Sequence, residues 1–158
     1  MIVPQEFLWV ALAIPIAYLY LIQFTKDPKK YRSVVFYILL FEYIVLLMCF
    51  AVVFIGDGEN HSVQRHFFWS YIHNTEDMTR DNLINISVFI PVGVLTSIVS
   101  RRFAVLNALL IGLLISETIE CCQIIFQRGT FDVDDIINNT AGALIGAIIY
   151  CFIVKKWL

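Results

Sequence analysis

Residues 103–126 read FAVLNALLIGLLISETIECCQIIF. Glu117 and Glu120 are the only charged residues in this run. A membrane helix needs roughly 20 mostly apolar residues, because no water reaches its backbone and each N–H must find its own carbonyl. The run meets that need. Its apolar residues are continuous rather than alternating, which rejects a β-barrel strand. Four more stretches qualify, at about 7–24, 33–55, 83–99 and 136–154. The span at 83–99 is the shortest and contains Pro91 and Gly93. Pro15 interrupts the first span in the same way, and membrane helices tolerate such breaks when neighbours satisfy the freed groups.

Composition agrees. The chain has 158 residues, 59% apolar and 15% charged, with a mean hydropathy of +0.79. Soluble domains run at about 45–50% apolar and about 25% charged. Disorder is excluded by the abundance of apolar surface. A net charge of −2 with no basic domain argues against a nucleic-acid partner. The expected fold class is all-α: one membrane domain over residues 1–158, a polytopic bundle of five transmembrane helices. No Lys or Arg precedes Lys26, so the N-terminus reads as a retained first helix rather than a cleaved signal.

Charge sets the expected orientation. Lys26, Lys29, Lys30, Arg32, Arg101, Arg102, Lys155 and Lys156 fall on one side of a five-span chain. The other side receives Arg65, Arg80 and Arg128 with most of the acids: Glu6, Asp57, Glu59, Glu76, Asp77, Asp81, Asp132, Asp134 and Asp135. Cytoplasmic loops collect Lys and Arg. The N-terminus is therefore expected outside and the C-terminus in the cytoplasm.

Ionisable groups at membrane depth are costly and mark function. Glu42, Glu117 and Glu120 are such groups. Residues three or four apart share a helix face. Ser116, Glu120, Gln123 and Gln127 thus form one stripe, with Glu117 at its margin. The stripe occupies the outer half of its helix. The last helix begins with Asp134, Asp135, Asn138 and Asn139, and Asn82 and Asn85 lie at the outer end of the third. Arg128 and Asp132 stand in the loop between the last two spans. These residues are expected to meet in an outward-facing polar cluster in which Arg128 partners Glu120 or an aspartate. Each also has a plainer reading. Asp134 and Asp135 suit a helix N-terminus as caps, Asn82 can cap its own helix, and Arg128 can be a solvated loop charge. Gly142 and Gly146 form a small-xxx-small pair that lets a neighbouring helix come close.

The ordered set resembles a known family. The third span has Asn82, Asn85, Phe89, Pro91 and Gly93. The fourth has Ser116, Glu120 and Gln123. Then follow Arg128, Asp132, Asp134, Asp135, Asn138, Asn139, Thr140, Gly142 and Gly146. This pattern, over about residues 80–150, is similar to that of the VanZ-like bacterial membrane proteins. Asn85, Glu120, Gln123, Arg128, Asp135, Asn138 and Gly142 match best. The resemblance implies a bacterial plasma-membrane protein of the cell envelope, associated with resistance to teicoplanin, a lipidated glycopeptide antibiotic that acts outside the membrane.

The expected partners are a membrane lipid, a lipid-linked cell-wall precursor or a lipoglycopeptide antibiotic, bound without a cofactor by Asn82, Asn85, Ser116, Glu117, Glu120, Gln123, Arg128, Asp132, Asp134, Asp135, Asn138 and Asn139. The alternative is an intramembrane hydrolase or transferase in which Glu120 and Asp135 act as acid and base. Ser116 has no neighbouring histidine to activate it. A proton-coupled carrier ranks third, because no internal repeat is present. In the loop at 56–81, His61, Arg65, His66 and His73 alternate with Phe67, Phe68, Trp69 and Tyr71. That segment reads as aromatic and interfacial rather than as a zinc site, whose ligand spacing it lacks. Cys49, Cys121, Cys122 and Cys151 lie within spans and read as packing residues.

Overall fold

A computed structural model describes residues 28–54, 63–64, 68–73, 76–127 and 129–156. The span expected at 7–24, together with Arg65, His61, His66 and Arg128, lies outside these residues. Among the described residues, four long helices make the bundle. Helix α1 spans Pro28–Cys49 and continues as a π-helical turn, Phe50–Phe54. Pro28 opens α1, where a missing N–H is harmless. After a two-residue strand β1, Val63–Gln64, and a short helix α2, Trp69–His73, helix α3 runs Glu76–Ser100. A 3₁₀ turn, Arg101–Phe103, leads into α4, Ala104–Ile125. Strand β2, Phe131–Asp132, precedes α5, Val133–Phe152.

Among the described residues, three stretches are long and apolar enough to cross a membrane: Val34–Val52, Glu76–Ile125 and Val133–Phe152. The middle one contains both α3 and α4. The expected short third span is corrected here, since its helix α3 has 25 residues and is the longest among the described residues. Its first turn is polar, and an apolar-run criterion cuts it off. Glu76 and Asp77 sit at the positive end of the helix dipole, so the polar turn is a favourable start. Asn82 consequently lies inside the helix and is buried, rather than capping it.

Helix α3 turns back into α4 through Arg101, whose φ of 42° reverses the chain. The Ser97 hydroxyl donates to Ala104 O across this corner (3.5 Å). Helix α5 then runs alongside α3 in the same direction. The two meet through glycines, as the small-xxx-small pair implied. Gly142 faces the Ile86 carbonyl, Gly146 the Ile90 carbonyl, and Gly93 the Ala143 carbonyl. A Cβ at any of the three would overlap backbone atoms. Leu47, Phe89, Val92, Ile115, Ile119 and Ala143 bring α1, α3, α4 and α5 into one core. Pro91 does not end α3. The Tyr43 hydroxyl donates to Val88 O (2.7 Å), next to the carbonyl of Ser87 that the proline leaves without its N–H.

The packing separates two ends. Ile98, Ala104 and Tyr150 cluster at one end, near Arg101, Arg102 and Lys155. The acids and amides gather at the other. β1 pairs in parallel with β2 there, Val63 opposite Phe131 and Gln64 opposite Asp132. This bridge between two loops has no signature in the sequence.

Candidate functional site

Four helix ends build the polar end. The last turns of α4 supply Ser116, Glu120 and Gln123, all buried as the stripe implied. Gln127 is exposed, with a φ of 55°, and ends the stripe. Glu117 is exposed as well and does not join the cluster. The spacing put it at the margin, and the helix turns it outward. Cys121 and Cys151 also face outward, so they do not fill the core.

Asp132 caps α5, its side chain accepting from the Asp134 N–H (2.8 Å). Burial pushes the Asp132 carboxyl above its ordinary pKa; the Asp134 N–H opposes that shift and the Asp134 charge adds to it. The aspartate pair therefore is not the cap. Asp134 is 1% exposed and its Oδ1 accepts from the Phe68 N–H (2.6 Å). Asp135 accepts from Asn85 Nδ2 (2.7 Å). One turn on, Asn138 donates to Asn82 Oδ1 (2.8 Å) and accepts from the Tyr71 hydroxyl. Asn139 donates to Ser116 Oγ (2.9 Å).

Glu120 is the hub between α4 and α5. It is 1% exposed, and its Oε2 accepts from the Asp132 N–H (2.8 Å). The pairing expected between Glu120 and Arg128 falls on a residue outside the described set. Gln123 reaches back to α1 and donates to Ala51 O in the π turn (3.2 Å).

These residues divide into two groups. Asn82, Ser116, Asp134 and Asn138 are buried between helices and tie them together. Asn85, Glu120, Gln123, Asp135 and Asn139 line a cavity of about 530 Å³, with Asp81 beside them. Tyr43, Leu46 and Leu47 of α1, Phe50 and Ala51 of its π turn, and Ile84, Val88, Phe89 and Ile119 line it as well. The cavity thus combines acids and amides with apolar side chains of α1, α3 and α4. The α1 wall and Asp81 were not expected as site residues, because an apolar helix face looks the same whether it meets lipid or a pocket. Tyr71 was missed too. It stood in the loop read as an aromatic interfacial segment, and the signal was a phenol among those aromatics, whose hydroxyl seeks a partner when half-buried. Among the described residues, no group of three His, Cys, Asp or Glu is placed to hold a metal ion.

Tyr71→Phe removes the hydroxyl that meets Asn138. One hydrogen bond contributes about 0.5–1.5 kcal/mol net. The expected result is a small drop in melting temperature and faster proteolysis at 68–73, with the helices intact by circular dichroism.

A helical bundle with membrane-length apolar stretches and a buried acid-and-amide cluster at one end defines a membrane-protein class. Comparison with known proteins then supplies the family. A family model described as VanZ/LLP1 matches residues 9–154. Over 71 residues the chain is 34% identical to Protein VanZ of Enterococcus faecium, covering 45% of this chain and 44% of that relative. The match thus spans less than half the relative's length. No solved structure matches. The chain belongs to the VanZ/LLP1 family.

Proposed function

We propose that the chain is a multi-pass plasma-membrane protein that binds an amphiphile at its polar end. It spans the membrane five times, with the N-terminus outside, the C-terminus in the cytoplasm and the cavity toward the outer leaflet. Arg101, Arg102, Lys155 and Lys156 at the end opposite the cavity support this orientation through the charge bias of cytoplasmic loops. The observation that carries the reading is the mixed polar and apolar lining of the cavity. Acids and amides share its lining with apolar side chains of α1, α3 and α4, which suits a molecule with a polar head and an alkyl chain. A membrane lipid, a lipid-linked wall precursor and a lipoglycopeptide such as teicoplanin share that build. The family's association with teicoplanin resistance accords with a site facing outward.

Native mass spectrometry of the detergent-solubilised protein tests this. Retention of one amphiphile class is expected, and its loss in Glu120→Gln. A bare protein, or the same adducts in wild type and variant, counts against the reading. The second reading, hydrolysis or group transfer on a lipid, is favoured by one observation: Glu120 and Asp135 line the same cavity. Incubation with labelled membrane lipid separates the two, since only an enzyme gives a new product.

A further inference from the structure

Each amide on the cavity wall has one N–H engaged, and the carboxyls beside them bring further acceptors. Asn85 donates to Asp135, Gln123 to Ala51 and Asn139 to Ser116. The same cavity is lined by three carboxyls: Asp81, Glu120 and Asp135. Among the described lining residues there is no Lys, Arg or His. Asn139 adds an independent sign. It lines the cavity, is 4% exposed, and its Oδ1 has no hydrogen-bond partner. A buried acceptor without a donor is costly and is relieved when a donor arrives.

Charge then selects the head group. A phosphate or carboxylate would bring negative charge against carboxyls in a poorly hydrated site. A quaternary ammonium has no N–H to give. A protonated primary amine has three donors, a positive charge and no acceptor, which complements a lining with three carboxyls. We propose that the cavity takes the protonated primary amine of an amphiphile, with Glu120 and Asp135 accepting from it and Leu46, Leu47 and Phe50 holding its chain. This rests on the binding function above and names its ligand class. Two sources carry such a group: an aminophospholipid in the bilayer, and an amine-bearing amphipathic peptide arriving from outside.

The test uses the full chain in phosphatidylcholine nanodiscs. It is photolabelled with a dodecylamine carrying a terminal diazirine, and with matched N-acetyl and carboxylate probes. Labelled peptides are mapped by mass spectrometry. The amine should mark the α1 wall at Leu46–Phe50 on the order of ten-fold more than the other two, as a charge-assisted bond predicts. Asp135→Asn still accepts from Asn85, so the fold stays, and the preference should collapse. Competition by phosphatidylethanolamine built into the disc assigns the lipid source. Competition by a water-soluble lipopeptide amine assigns the external one. Equal labelling by all three probes overturns the amine proposal and leaves amphiphile binding standing. No label on the α1 wall from any probe overturns both.

Discussion

Gly93→Ala should sharply destabilise the bundle, while Gly129→Ala should leave it unchanged. The added methyl at Gly93 would overlap the carbonyl of Ala143, and backbone cannot swing aside as a long side chain does. Helices α3 and α5 would have to separate along the seam held by Gly93, Gly142 and Gly146. Overpacking a tight core costs typically about 1–3 kcal/mol and sometimes more. The upper end is expected here, because the seam also sets the registers of Asn82 on Asn138 and of Asn85 on Asp135. Gly112→Ala should be milder, since the nearest atom is the Ala143 Cβ at 2.6 Å. At Gly129 a Cβ meets only Gln123 side-chain atoms from 3.6 Å outward. Melting temperatures in detergent, with gel filtration for monodispersity, rank the series. Equal stability of Gly93→Ala and Gly129→Ala contradicts the close parallel packing.

The second large effect is at Glu120. Alanine there removes the acceptor of the Asp132 N–H and leaves that donor without its partner. An orphaned buried donor costs about 1–3 kcal/mol, and the space left by a truncated side chain adds to it. The turn joining α4 to α5 should loosen, with a clear fall in melting temperature and loss of amphiphile retention. Glutamine behaves differently. Its Oε1 still accepts from Asp132, so stability should stay near wild type while retention drops. The split between the two variants separates the structural role of Glu120 from its role as a cavity acceptor. Identical behaviour of alanine and glutamine in both assays would remove that distinction.

Much of this was legible in the sequence, for physical reasons. Periodicity alone placed Ser116, Glu120 and Gln123 on one face, because a helix turn fixes that relation whatever surrounds it. The glycine pair at Gly142 and Gly146 announced a close helix, though not that α3 would be the partner. What stayed hidden depends on contacts distant in the chain. The start of α3 was missed since its first turns are polar and leave no apolar signal. The cap role passed from Asp134 and Asp135 to Asp132 because Phe68 and Asn85 engage the other two carboxyls. Nor does sequence separate Asn138, sealed between helices, from Asn139 one residue on, which reaches the cavity. Spacing already set Glu117 at the margin of the stripe that holds Glu120, and the first faces outward while the second is buried.

The central claim is that acids and amides from separate helices meet at a shared cavity. Dibromobimane, which becomes fluorescent when it bridges two nearby thiols, tests it in native membranes. Asn85→Cys and Asp135→Cys are combined in a chain whose own cysteines are replaced by alanine. Removing both partners of one bond together is close to neutral, so the fold should persist. The pair should fluoresce, and Asn85→Cys with Glu117→Cys should stay dark. A dark Asn85–Asp135 pair, with each thiol still reactive to a single-armed maleimide, contradicts the account.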